Sequence, residues 1–200
     1  MAKYRYVSFF SGAGGLDTAF YESKNFELWF ANDELRPPAE SYSKNFSHNI
    51  VDADDFGNDT KLPAYVVGDI TKIPDFTPIG TVDCMIGGPP CQDFSITRGG
   101  KRSGINPASN VKKKANVSRG RLYMEYVRAV KSAEPRFFAF ENVPGLMSAN
   151  GGLAYETIVS DFASHGYKIL FKDIANATKV GVPQTRRRLI ILGARNGATE

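Results

Sequence analysis

A cysteine, a glutamate and a pair of arginines stand at the ends of apolar runs in this 200-residue sequence. Cys91 lies in Gly87-Gly88-Pro89-Pro90-Cys91-Gln92-Asp93-Phe94-Ser95, directly after the apolar run 82–86. That run reads as a buried strand, and its glycines and prolines stop it abruptly. A thiol at the carboxyl end of a strand in an α/β sheet sits where such sheets place their active sites. Ionised, it is a nucleophile; packed away, it is a small hydrophobe in a turn. Glu141-Asn142-Val143 follows a second apolar run, 136–140, and brings a carboxylate and an amide to the same sheet edge. Gln184-Thr185-Arg186-Arg187-Arg188 precedes a last run, 189–192. Strand alternation puts Arg186 and Arg188 on one face and Arg187 on the other. A basic edge strand guarded against aggregation would have the same composition.

The elements that must position these groups alternate between strand and helix. Residues 4–10 read as the first strand, and Ser11-Gly12-Ala13-Gly14-Gly15 turns into a helix over 16–23. Glycines there let the backbone pass close to a ligand and open a helix N-terminus. The spacing is not the dinucleotide fingerprint, and a structural turn explains it as well. The second strand, 26–31, ends at Asn32-Asp33-Glu34. Nucleoside-binding sheets hold ribose hydroxyls with an acid at that point; solvated loop charges are the alternative. Arg36-Pro37-Pro38 opens a helix to 46, with proline tolerated in the first turn. Residues 48–60 are polar and acidic and read as a surface loop. A third strand at 65–67 runs into Gly68-Asp69-Ile70-Thr71, which alone is only a turn. Further helices are expected over 118–133 and from 151–152 to 164, with a sixth strand at 167–175. Cys84, inside the fourth strand, reads as inert core; His48 and His165 read as loop and helix-end residues.

Composition bounds the class. The chain is 42% hydrophobic and 23% charged, as in ordinary globular domains, and its length suits one domain with a sizeable core. No apolar run reaches a membrane-spanning length. Two cysteines give neither a disulfide framework nor a metal-ligand spacing, so no metal is expected, and a working thiol fits a reducing cytoplasm. The net charge is +4, and the stretch 94–124 alone carries eight positive charges and no acid. The remainder of the chain is therefore net −4. Basic charge concentrated directly after Cys91 suits a nucleic-acid partner.

Taken together, these blocks resemble the motifs of the DNA (cytosine-5) methyltransferases. Gly-Pro-Pro-Cys-Gln-x-Phe-Ser is similar to the family's nucleophile motif, Phe10-Ser11-Gly12-x-Gly14-Gly15-Leu16-Asp17 to its first motif, Glu141-Asn142-Val143 to its second catalytic motif, and Gln-x-Arg-x-Arg to its eighth. The family often has an acid two residues before the motif's Phe, where this chain has Ser8. The resemblance covers about residues 4–195. It implies an α/β, Rossmann-like methyltransferase fold with helices on both faces of a mostly parallel central sheet and an antiparallel last strand. It implies S-adenosyl-L-methionine as cofactor, held by Phe10, Gly12, Ala13, Gly14, Gly15, Asp33, Glu34, Asp69, Ile70, Pro90 and Leu122. Asp33 would take the ribose, Glu34 would lie beside the adenine, Asp69 would meet its amino group and Ile70 would pack on the ring. Double-stranded DNA is the implied partner, contacted by Gln92, Ser95, Arg98, Lys101, Arg102 and Arg119, with 97–117 a basic mobile loop closing over it.

The implied chemistry is attack of the Cys91 thiolate on C6 of a flipped-out cytosine, which makes C5 nucleophilic enough to accept a methyl group. Glu141 would hold the proton at N3, and Arg186 and Arg188 would bind O2 and orient the carboxylate. Family members continue past this point with a target-recognition region and a final segment. The expectation is thus a fragment, or one half of an enzyme whose second chain supplies the rest, with an exposed sheet edge and apolar face. A prokaryotic or phage cytoplasm is the expected setting. The alternatives are a tRNA cytosine-5 methyltransferase, a catalytically silent nucleic-acid-binding module and, disfavoured by the glycine spacing, a nicotinamide-dependent dehydrogenase.

Overall fold

The computed structural model describes residues 3–90 and 122–198. Cys91, Gln92, Ser95, Arg98, Lys101, Arg102, Arg119 and the loop 97–117 lie outside the described residues. Eight strands form one sheet: β1 (Tyr4–Phe9), β2 (Phe26–Asp33), β3 (Asn49–Asp52), β4 (Ala64–Val67), β5 (Cys84–Gly87), β6 (Phe137–Asn142), β7 (Tyr167–Asn176) and β8 (Arg187–Arg195). Their spatial order is β3-β4-β2-β1-β5-β6-β8-β7. The pairs from β3 to β6 are parallel. β8 runs antiparallel to both of its neighbours, β6 and β7, so the last strand is antiparallel as expected but lies inside the sheet.

The central strands are short apolar runs because both of their faces are covered. All four residues of β4 and all four of β5 are buried, as are the last four of β1. Alternate residues face opposite layers. Val7, Phe9, Met85, Phe138 and Phe140 join the layer of α3 (Leu122–Ala133) and α4 (Leu153–Ser164). Tyr6, Leu28, Tyr65 and Ile86 join that of α2 (Arg36–Phe46). The short α1 (Asp17–Glu22) follows β1. None of the described helices is long and apolar enough to cross a membrane.

One expected loop is a strand. Residues 49–52 of the polar stretch 48–60 form β3, which pairs in parallel with β4. As an edge strand it is only half-buried, so it lacks the apolar pattern that marks a central strand. At the other edge, β7 leaves Leu170 and Phe171 exposed, next to Leu192 of β8. Three strands also run further than their apolar runs indicate: β2 to Asp33, β6 to Asn142, and β8 back to Arg187. Each extension carries polar residues at the active edge.

Packing is tight where β6 and β8 meet α4. The Phe138 and Phe162 rings stack with centroids 4.1 Å apart. Phe138 faces Gly193 across the ladder, and a Cβ on Gly193 would lie 2.2 Å from the Phe138 ring. Gly193→Ala should therefore destabilise the chain by about 1–3 kcal/mol through overpacking, read as a lower urea midpoint at unchanged slope. A neutral result would show that the ring can tilt away.

Candidate active site

The strand order reverses at β1. The chain leaves it toward β2 on one side, and β5 pairs with it on the other. A crevice at the carboxyl ends of such strands is the normal ligand position in open α/β sheets. Two cavities lie there, and Phe10 and Gly88 line both. The first, about 290 Å³, is also lined by Asp33, Glu34, Asp69, Ile70, Pro90 and Leu122. The second, about 500 Å³, is lined by Ser11, Gly15, Leu16, Glu141 and Arg186.

The loop after β1 is shaped by strained backbone and buried polar groups. Phe10 has φ +57°, a left-handed conformation that an aromatic residue rarely adopts. The turn it makes leaves the residue between the two cavities. The Gly12 N–H donates to Asp33 Oδ2 at 2.9 Å, and the Tyr65 hydroxyl donates to the Gly12 carbonyl at 2.9 Å. Gly14 has φ +91°, and a Cβ there would fall 2.3 Å from the Phe46 ring. Gly14 therefore serves packing against α2, Ala13 is exposed, and neither lines these two cavities.

Asp33 also accepts from the Leu35 N–H at 3.2 Å. Asp69 Oδ1 accepts from the Thr71 N–H at 2.9 Å and its hydroxyl at 2.8 Å, capping the turn after β4. Asn32, fully buried, donates to the carbonyls of Val66 at 2.9 Å and Gly68 at 3.1 Å. It ties the end of β2 to the Gly68-Asp69 turn. The first cavity thus offers carboxylates beside apolar side chains. Such a donor set suits a nucleoside, with acids for hydroxyl and amino groups and Ile70, Leu122 and Pro90 for a ring.

The second cavity is built around Glu141. Arg188 Nε lies 2.7 Å from Glu141 Oε1, with both side chains about 27% exposed. Arg186 lines the cavity beside Glu141. A Cβ on Gly88 would stand 2.9 Å from Glu141 Oε2, so a larger residue in the β5 turn would push this carboxylate from its place beside Arg188. Asn142 is 4% exposed. Its Nδ2 donates to the Pro89 carbonyl at 2.9 Å, and its Oδ1 accepts from the Val143 N–H at 2.9 Å. This amide fixes the backbone two residues before Cys91. The other thiol, Cys84, is buried, and desolvation first, then Asp83, pushes it up to about 12. It remains a protonated core residue.

Sequence reasoning passed over the polar groups behind these walls. Asp17 is fully buried at the start of α1. It accepts from Ser8 Oγ at 3.0 Å and from the Tyr42 hydroxyl at 2.8 Å. A carboxylate therefore lies beside position 8, although residue 8 is a serine. The available signal was weak: Asp17 enters the sequence reading only as the last residue of the first motif and Asn142 only as the amide beside Glu141 at the sheet edge, with no positioning role assigned to either.

A family model described as C-5 cytosine-specific DNA methylase matches residues 4–200. The chain is 43% identical to the DNA (cytosine-5-)-methyltransferase M.ApeKI of Aeropyrum pernix, over 98% of this chain and 45% of that protein. It is 35% identical to the type II methyltransferase M.NgoFVII of Neisseria gonorrhoeae, over 96% of this chain and 44% of that protein. The chain thus spans slightly less than half the length of these relatives. Among solved structures, the S. pombe Dnmt2 methyltransferase superposes with a TM-score of 0.68 at 18% identity, covering 97% of this chain and 51% of that one. Matched from its first strand to its last residue and sharing more than 40% identity with one such enzyme, this chain belongs to the C-5 cytosine-specific DNA methylase family.

Proposed function

We propose that the chain carries the donor-binding and base-attacking part of an enzyme that methylates C5 of cytosine in DNA. The observation that supports this best is the sharing of Phe10 and Gly88 by two cavities. One has nucleoside-type walls; the other holds Glu141 and Arg186. Asp33 and Glu34 would take the ribose and adenine edge of S-adenosyl-L-methionine, with Asp69, Ile70 and Leu122 around the ring. The glycine loop would let its methionine part approach the backbone. When bound, that cofactor supplies an electrophilic methyl group.

The chain's own residues would do the rest. The Cys91 thiolate adds to C6 of an extruded cytosine, and the displaced electron pair moves toward N3 and C5. Glu141 holds the proton at N3 in that step, and its ion pair with Arg188 fixes the carboxylate's direction. Arg186, on the same cavity wall, is placed to hold the base at O2. Once C5 has accepted its substituent, loss of the C5 proton to a base and expulsion of the thiolate restore the aromatic ring. No residue is assigned to that last base. The basic segment 94–124 would neutralise phosphates around the opened duplex.

Trapping tests this reading. The chain is incubated with S-adenosyl-L-methionine and duplex DNA containing 5-fluorocytosine, whose fluorine cannot leave. A covalent adduct surviving denaturation is expected, and Cys91→Ser should abolish it. Arg188→Ala should slow adduct formation by about tenfold or more, the loss of a charge-assisted contact. An adduct on tRNA and none on DNA would move the substrate to RNA. Donor binding without any adduct would mean that attack needs the length these relatives have and this chain lacks.

Asn142 gives a separate prediction. Asn142→Ala removes the amide from the Pro89 carbonyl and leaves a buried acceptor unpaired, at a cost of about 1–3 kcal/mol. Adduct formation should fall by about tenfold with S-adenosylhomocysteine affinity unchanged, as measured by single-turnover trapping and calorimetry. Equal losses in both would show that Asn142 supports the whole edge rather than the Cys91 turn.

A further inference from the structure

The fully buried Asp17 has no part in the chemistry proposed above. Burial is the largest influence on it and pushes its carboxyl up to about 6. The groups that face it are Ser8 and Tyr6 from β1, Tyr42 from α2 and, electrostatically, Tyr65 from β4. None is a cation, and among the described residues no ion pair involves Asp17. Burial also raises the three phenols above their ordinary range, so they stay protonated.

Its position matters more than its charge alone. Asp17 follows the loop of residues 11–16 directly and is covalently tied to that loop's far end. It reaches the near end through two hydroxyls. Ser8 Oγ lies 3.0 Å from Asp17 Oδ2, and Ser11 Oγ lies 3.0 Å from Ser8 Oγ. Ser11, Gly15 and Leu16 line the second cavity. With the carboxylate ionised, Ser11 donates to Ser8, Ser8 donates to Asp17, and Tyr42 donates to the other oxygen. With the carboxyl protonated, the chain reverses. Asp17 donates to Ser8, Ser8 donates to Ser11, and the Ser11 hydrogen turns to the carbonyl of Ser8 at 2.9 Å or of Asn32 at 3.3 Å.

We propose that Asp17 is the positioning residue of the glycine loop: its ionised carboxylate, relayed by the Ser8 and Ser11 hydroxyls, ties the loop's two ends together and holds it in the shape that binds the methyl donor. The ligand half of this inference rests on the donor-binding reading above. The sign follows from the raised carboxyl. The cost of burying the charge is absent below about pH 4, the ordinary carboxylate range, and complete above about pH 6. The ionised form therefore lowers stability at neutral pH, a loss consistent with a functional role.

Asp17→Asn reproduces the protonated pattern at equal size, with its amide toward Ser8 and its oxygen toward Tyr42. Two readouts separate loop from ligand: the amide resonances of Gly12 and Gly14 followed from pH 5 to 8, and S-adenosylhomocysteine affinity over the same range. In the wild-type chain the amides should titrate together near pH 6, and affinity should weaken about tenfold from pH 8 to pH 5. Asp17→Asn should melt about 3–6 °C higher at pH 8, with silent amides and a weak, pH-independent affinity. Ser8→Ala keeps the Tyr42 contact and cuts the relay, so its amides should also be silent; it serves if the Asn variant misfolds. Flat amide titrations in the wild type would overturn the proposal, as would an Asp17→Asn chain that keeps the wild-type affinity and pH profile. Amides that titrate in a chain that binds no donor analogue at any pH would uphold the Asp17 relay and sink the donor-binding reading.

Discussion

β1 and β5 lie side by side, and the connections from their carboxyl ends leave in different directions. The first goes to β2 and α2, the second past Gly88 toward Cys91. A parallel sheet opens a crevice where this happens, because no crossover covers it. Among the described residues, Asp33, Glu34, Asp69, Glu141 and Arg186 border that crevice. Phe10 closes one strand and Gly88 the other, and their shared walls bring the nucleoside-type cavity next to Glu141 and Arg186. Methyl transfer needs a donor and an acceptor in contact and shielded from water. A switch point supplies two adjacent compartments with one wall in common.

The crevice keeps its shape through buried amides and hydroxyls. Asn32 joins the ends of β2 and β4, Asn142 joins β6 to the turn after β5, and Tyr65 and Asp33 hold Gly12 from two sides. Each bond links a strand end to a neighbouring turn, so the loops are fixed by the sheet. Fully satisfied buried polar contacts of this kind rigidify a site, whereas a half-satisfied one is costly. The same logic explains Gly88. Its missing Cβ leaves Glu141 room to meet Arg188, and the ion pair sets the carboxylate's direction.

Much of this was legible in the sequence because the central strands are buried on both faces and the glycine and proline turns punctuate them. The helix over 36–46 and the strand beginning at Tyr4 lie where their patterns place them. β3 was missed because an edge strand of four residues, Asn49–Asp52, needs no apolar alternation. The underestimated strands share another cause. β2, β6 and β8 carry Asp33, Glu141 and Asn142, and Arg187 and Arg188 in ladder positions. Hydrophobic periodicity fails there because these ladder positions hold polar side chains. The residues that the family resemblance marked at the mouth line the two cavities, apart from Gly12, Ala13, Gly14 and Arg188 and those outside the described chain. Asp17 and Asn142, which stand behind the mouth, carry no periodic signal at all.

Two features of the site work against stability. Phe10 adopts a left-handed backbone, and Asp17 buries a carboxyl without a cation. Strain of the first kind costs of order 1–3 kcal/mol and persists only where the surroundings over-determine it. The surroundings here are the most buried part of the molecule: β1, β4 and β5 with the layers of Phe9, Phe30, Phe76 and Tyr126 on one side and Tyr6, Tyr42 and Tyr65 on the other. Rings in edge and tilted contact join Phe9 to Phe30, Phe76 and Tyr126. Fully buried aromatic packing therefore lies directly beneath the strained loop. A looser core would let Phe10 relax out of its left-handed turn, and the wall shared by the two cavities would be lost with it.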